Sequence, residues 1–341
     1  MQLRAFAILL CPPSLVASFC VAQTQAAKSS ASPEFVEQYN KGKQALKDRK
    51  FDDAISAFKK ALKIDPACAD CDFAIAMAYS QKRDANRSLE FADKSLAAAQ
   101  DDMSRAVARN FKGEVLMALG ESDASRLKDA EAEFREAIKL RPSASYSFNL
   151  AKALAMQSKD DEAKQEFARC LTLKPDDETA REARLVMADP RRARSEFAPD
   201  FHLTTLQGQP FSLAQASGKV LVMDFWATWC PPCRESVPEL KDLTGKYASD
   251  KLVLISVSAD EDDQAWRDFV GRKKMDWMQY RDADHTILHA FGIHGFPTYL
   301  VITGDGIVKR RIVGMNPQQT IVHRLKETLQ SMPELEGVER K

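Results

Sequence analysis

This chain has no excess of positive or negative residues. Its 341 residues carry 49 Lys and Arg against 49 Asp and Glu, so electrostatics give no reason to expect nucleic acid or an anionic membrane surface as a partner. Also missing is the uninterrupted apolar run of ~20 residues that a membrane helix needs. The nearest approach, from Ala5 to Ala22, is broken by Pro12 and Pro13. Cysteine is limited to 7 residues, and no second pair stands close enough to Cys230 and Cys233 to complete a tetrahedral zinc site. What is present is the composition of a folded protein, 45% apolar and 29% charged, with length for about two domains.

The first residues read as an export signal: Arg4, then the mostly apolar run to Ala22, then small polar residues. Cleavage is expected between residues 22 and 27, giving a segment 1–22 that is removed and a periplasmic location. Retention by an uncleaved signal is less favoured because Pro12 and Pro13 interrupt the run, and a lipid on Cys20 because Phe19 stands where a small residue is needed. Loss of the signal removes Cys11 and Cys20. Five cysteines then remain, so at least one thiol is unpaired.

From Pro33 to Ala188 apolar residues recur at three and four, the period of helices. Three segments share one pattern before a proline: Ala54, Phe58, Ala61 and Pro66; Ala130, Phe134, Ala137 and Pro142; Ala163, Phe167, Cys170 and Pro175. The last two prolines lie 33 residues apart, close to the ~34-residue tetratricopeptide period. Gly42, Ala76, Gly113 and Ala151 occupy close-packing positions of the preceding helices. Residues 33–188 thus resemble the tetratricopeptide repeat family, with four helix pairs and a capping helix over 177–187. The pair near 69–102 is degenerate and the loop around 121–126 is long. A lone helix pair cannot bury its apolar face, so neighbours stack and create a surface suited to a peptide or protein ligand. A spacer or dimerisation surface is the plainer alternative.

Residues 189–198, rich in arginine and flanked by proline, are read as a linker and solvated hinge. Beyond them the period changes. KVLVMDFWA and KLVLISVSA are continuous apolar runs of strand length, each followed by a helical stretch. TYLVIT and IVKRRIVG flank Gly304, Asp305 and Gly306, a hairpin signal, and a last helix is expected over 318–330. The fold class is therefore two domains, an all-α repeat solenoid followed by an α/β thioredoxin-like arrangement over 199–341.

The chemistry concentrates in Cys230-Pro231-Pro232-Cys233, placed where a strand gives way to a helix. Unpaired N–H groups and the positive end of the helix favour thiolate over thiol, which suits Cys230 to attack. Cys233, one turn later on the same face, can expel the bound product. Prolines cost little there, since first-turn residues lack helical N–H partners anyway. A redox-active Cys230–Cys233 disulfide is expected, with no other cofactor.

GKVLVMDFWATWCPPCRESVPEL and GIHGFPTYLVITGDGIV resemble the thioredoxin superfamily, in its exported TlpA/ResA-like branch, over the whole of residues 199–341. The resemblance implies that Pro297 follows a cis peptide bond and faces the cysteine pair, that Phe296 offers backbone to a substrate peptide, and that Trp229 packs beside the site. It also implies that Asp224 is a buried acid exchanging the proton of Cys233. One departure stands out. Where many of these proteins carry a glutamate three residues after the second cysteine, this chain has Ser236, and the adjacent Glu235 points about 100° away.

Cys68 and Cys71 form a second CxxC at a repeat helix, without the following histidine of a c-type haem site, because Asp72 stands there. A local structural disulfide and two packed free thiols are equally weighted, with a second redox centre as the remaining alternative. Cys170 reads as buried and inert. His285 and His289 are read as unrelated helix residues, and residues 260–263 as a solvated acidic loop. The whole describes an exported thiol–disulfide oxidoreductase, a reductase of protein disulfides, whose repeats recruit a protein substrate or redox partner. The runner-up is a repeat-based adaptor with incidental redox activity.

Overall fold

The computed structural model describes residues 32–120, 122–247, 250–314 and 321–336. The proposed signal, its cleavage site and Cys20 lie outside the described residues, as do residues 318–320 of the expected last helix. Among the described residues no helix is long and apolar enough to cross a membrane. The chain divides into two compact units, up to Arg194 and from Ser195.

The first unit is helical: α1 (Pro33–Lys47), α2 (Phe51–Ile64), α3 (Ala69–Gln81), α4 (Ala85–Ala98), α5 (Asp102–Leu119), α6 (Ser125–Leu140), α7 (Ala144–Met156), α8 (Asp160–Thr172) and α9 (Asp177–Ala188). These are the four pairs and cap. Side-chain caps set several helix starts, with Ser32, Asp84, Asp101 and Asp176 each accepting the N–H three residues on. Within a pair the packing is ring against glycine. A Cβ at Gly42 would fall 2.8 Å from the Phe58 ring, and one at Gly113 only 2.5 Å from that of Phe134. The degenerate second pair solves the same problem differently. Ser88 is fully buried, its hydroxyl satisfied by donation to Ala76 O at 2.9 Å, while Tyr79 stacks on Phe91 with ring centroids 5.7 Å apart.

The boundary between the two units falls inside the arginine-rich stretch, whose residues make local contacts. Asp189 caps a short 3-10 helix (Pro190–Ala193) and binds Arg191 at 2.8 Å, while Arg194 donates to Ala155 O at 2.7 Å and forks onto Asp160 at 2.7 and 2.9 Å. From Glu196 onward the backbone instead joins the second unit, with the Val308 N–H donating to Glu196 O and the Ala198 N–H to Gly306 O. Up to Arg194 these residues are held by arginine contacts with acceptors that the sequence does not reveal, and from Glu196 by backbone hydrogen bonds.

The second unit runs β1 (His202–Thr204), β2 (Pro210–Ser212), β3 (Val220–Trp226), α10 (Pro231–Lys246), β4 (Leu252–Ser258), α11 (Asp263–Lys273), β5 (Met278–Arg281), α12 (Thr286–Ala290), β6 (Thr298–Ile302), β7 (Val308–Val313) and α13 (Ile321–Gln330). The sheet order is β5-β4-β3-β6-β7, with β3, β4 and β5 parallel and β6 and β7 antiparallel. Every residue of β3, β4 and β6 is buried, which is why those strands are continuously apolar. One face packs on α10, α11 and α13 through Leu240, Trp266 and Leu325; the other packs on β1, β2 and α12 through Leu203, Phe211 and Leu288. The short β1, β2 and β5 and the five-residue α12 carry too little periodic signal to be anticipated.

Candidate active site

β3 ends at Trp226, and α10 begins at Pro231, so Cys230 becomes the N-cap of α10. Its Sγ accepts the Cys233 N–H at 3.3 Å. Cys230 and Cys233 are joined as a disulfide with Cα atoms 5.3 Å apart. Both are nearly enclosed, at 4% and 3% exposure.

Beneath them lies Asp224, on β3. Alternation along the strand places it on the same sheet face as Val222, Trp226 and the cysteine pair. Its only hydrogen-bond partner among the described side chains is Ser256, its register neighbour on β4, which donates to Oδ2 at 2.7 Å. Ser256 in turn accepts the Trp277 indole N–H at 2.8 Å. Burial, set against that one hydrogen bond, pushes the Asp224 carboxyl up to about 7. Across the other edge of β3, Asp224 pairs in register with Tyr299 of β6. Tyr299 is wholly buried, and among the described residues its hydroxyl has no partner in hydrogen-bond geometry. Desolvation and the charge of Asp224 raise it well above the ordinary tyrosine value, with neighbouring Ser236 acting the other way. Ser236, which stands where the family's glutamate was expected, is itself buried and donates to Pro232 O at 3.0 Å.

The Phe296–Pro297 peptide bond is cis, at the turn leading into β6. Phe296 meets Trp229 edge to face, with ring centroids 5.7 Å apart and planes at 76°. Trp229 is 63% exposed and does not belong to the core. The two rings border an open groove of about 590 Å³, lined also by Thr228, Leu288, Ile293, His285, His289 and His294. His285 precedes α12 and His289 lies within it, and with His294 they line the same groove as Trp229.

In the acidic stretch Glu261 and Asp262 are exposed loop residues as expected, and Asp260 is the exception. Asp260 is 4% exposed and gathers the segment before Cys230: it accepts the Thr228 N–H at 2.9 Å, the Thr228 hydroxyl at 2.6 Å and the Ser258 hydroxyl at 2.6 Å. Asp262 caps α11, and Asp263 binds Arg267 and Arg281. Asp260, Ser256, Trp277 and Tyr299 escaped sequence reasoning. Only the burial implied by continuous strands could have pointed to Ser256 and Tyr299, as polar residues inside apolar runs. Of the other cysteines, Cys68 and Cys71 are bonded to each other, while Cys170 is a buried free thiol pushed up to about 11 by burial.

Residues 193–329 match the Redoxin family, and residues 45–109 and 115–178 match tetratricopeptide repeat families. The chain is 32% identical over 130 residues to thiol-disulfide oxidoreductase ResA of Bacillus thuringiensis (strain Al Hakam), covering 38% of this chain and 75% of the relative. It is 34% identical over 133 residues to ResA of Halalkalibacterium halodurans, covering 38% and 76%. Among solved structures, a putative thiol:disulfide interchange protein DsbE from Chlorobium tepidum aligns at 27% identity and a TM-score of 0.37, over 40% of this chain and 95% of that one. With a CxxC disulfide at a helix N-terminus of a thioredoxin-like sheet, and relatives of this kind, the chain belongs to the ResA-like thiol–disulfide oxidoreductases of the thioredoxin family, here preceded by tetratricopeptide repeats.

Proposed function

We propose that this enzyme is exported to the periplasm and reduces protein disulfides through Cys230, with Cys233 resolving the mixed disulfide. The observation that carries this reading is the Cys230–Cys233 disulfide at the N-terminus of α10, with the desolvated Asp224 on the sheet face beneath it. In the reduced enzyme the Cys230 thiolate attacks one sulfur of a substrate disulfide, and the other substrate sulfur leaves as thiolate. Asp224, near 7, takes the Cys233 proton. The Cys233 thiolate then attacks Cys230 Sγ, which frees the reduced substrate and restores the disulfide. Trp229 and Phe296 hold the substrate chain in the groove, and Pro297 sets the backbone against which it lies. A dithiol protein must return the pair of electrons for the next cycle.

The repeats recruit a protein partner in this reading. Asn110 and Glu114 of α5 and Asn149 of α7 form a polar network, in which Asn149 Nδ2 donates to Asn110 Oδ1 at 3.1 Å and to Glu114 at 2.8 Å. Enclosure of its carboxyl pushes Glu114 up to about 7. First helices of successive repeats supply this network, and in solenoids such neighbouring helices build the binding surface.

Replacing Cys233 by Ser in the full chain tests the exchange step. Covalent partners held through Cys230, released by dithiothreitol and lost when Cys230 is also replaced, are expected from the native compartment. Their absence there counts against the reading. Direction follows from the reduction potential of the pair: near that of thioredoxin, about −270 mV, it acts as a reductase, and near about −120 mV it donates disulfides.

A further inference from the structure

The repeats hold a second disulfide that this chemistry leaves unused. Cys68 and Cys71 are bonded with Cα atoms 5.3 Å apart. Cys68 is the N-cap of α3, and its Sγ accepts the Cys71 N–H at 3.1 Å. Each feature has a counterpart at Cys230 and Cys233, where the Cα separation is also 5.3 Å and the Sγ contact 3.3 Å. Access differs between the two sulfur-bearing residues: Cys68 keeps part of its surface, whereas Cys71 is 0% exposed. That asymmetry separates a sulfur open to attack from one that resolves.

A staple here would contribute little to the fold. The stabilisation a disulfide gives through the unfolded chain grows with the loop it closes, and this loop is among the shortest possible. The turn it spans is already held by backbone hydrogen bonds, with the Cys71 N–H donating to Cys68 O at 3.0 Å and the Asp72 N–H to the same oxygen at 3.3 Å. Exchange chemistry, by contrast, is served by what surrounds it. The N-terminus of α3 stabilises a thiolate on Cys68. Asp72, the residue after Cys71, is a buried acid pushed up to about 6 by burial, as Asp224 is near the other pair.

We propose that Cys68–Cys71 is a second redox-active disulfide, which accepts electrons from a protein dithiol of the kind Cys230 and Cys233 form when reduced. A donor thiolate attacks Cys68 Sγ, forming a mixed disulfide and releasing Cys71 as thiolate, which takes a proton. The donor's second thiolate attacks its own first sulfur, closing the donor disulfide and releasing Cys68 as thiolate. Two electrons pass to the pair, and the donor is oxidised by two.

The test uses full-length protein in which Cys230 and Cys233 are both replaced by Ser, leaving the repeat pair as the exchangeable disulfide. It is equilibrated in glutathione buffers, alkylated and weighed. It is then mixed with reduced full-length protein in which Cys68 and Cys71 are both replaced by Ser. Loss of protection from alkylation at both Cys68 and Cys71 in reduced glutathione, with the helical circular dichroism unchanged, is expected. So is oxidation of Cys230 and Cys233 in the mixture, with a Cys68–Cys230 mixed disulfide accumulating when the reduced donor also carries Cys233→Ser and cannot resolve it. A pair that resists glutathione, repeats that melt on its reduction, or a mixture that exchanges no faster than glutathione alone would each overturn the proposal. The glutathione arm does not involve Cys230, so it reads out independently of the trapping experiment above.

Discussion

Ser256 donates its hydroxyl to Asp224 Oδ2 across 2.7 Å, at the register position where β4 runs beside β3. One hydrogen bond is a poor substitute for the water shell that a carboxylate loses on burial, so Asp224 holds its proton up to about 7 against an ordinary 3.8. Ser256 is itself fixed by the Trp277 indole. The chain Trp277, Ser256, Asp224 thus orients the acid while leaving it desolvated.

Asp224→Asn should stabilise the fold at high pH. Because the folded-state value lies above the unfolded one, the group's contribution is fully present below about pH 4 and is lost as pH rises through about 7. The variant has no such loss, so its advantage in denaturant midpoint should grow across that window to a few kcal/mol. Disulfide exchange should meanwhile slow, since the Cys233 proton loses its acceptor. A stability difference that does not change with pH would remove Asp224 from this role.

Asp260→Ala should loosen the segment that precedes Cys230. It strands the Thr228 N–H and two hydroxyls that Asp260 accepts at 2.6–2.9 Å, and a buried donor left unsatisfied costs about 1–3 kcal/mol. We expect a loss of that order in denaturant unfolding, together with a fall in kcat/KM for a protein disulfide. An unchanged midpoint would show that the contacts contribute nothing to holding Thr228.

Tyr299→Phe should be stabilising or neutral, by up to about 1 kcal/mol, because it deletes a buried hydroxyl that has no hydrogen-bond partner among the described residues. The ring keeps its place in the core beside α10. Chemical denaturation decides the matter, and a loss of about 1 kcal/mol would mean that the hydroxyl has a partner when the protein is in solution.

These sites differ in how visible they are in sequence. Cys230 and Cys233 are legible because exchange chemistry demands two cysteines one helical turn apart at a helix start. The helix pairs are legible because Ala54, Phe58 and Ala61 recur with a period that only stacked repeats need. Asp260 was not, since its burial depends on Thr228 and Ser258 folding over it, and four acidic-rich residues in a row look solvated. The histidine-lined groove was equally hidden, because His294 and the pair His285 and His289 are brought together with Trp229 only by the sheet. Arg194 and Asp160 lie far apart in sequence, so their fork could not be read from the arginine-rich run.

Gly113→Ala should destabilise the repeats even though alanine is the better helix former by about 1 kcal/mol. The new Cβ would fall 2.5 Å from the Phe134 ring, which is wholly buried. Overpacking of this kind costs about 1–3 kcal/mol and outweighs the propensity gain. Gly271→Ala in α11 is the control. Among the described residues no other group lies within 4 Å of its added Cβ, so propensity acts alone there and should stabilise by up to about 1 kcal/mol. Denaturant unfolding of both variants checks the pair of signs. If both substitutions stabilise, the ring of Phe134 can move, and glycine at position 113 is not required by the packing between α5 and α6.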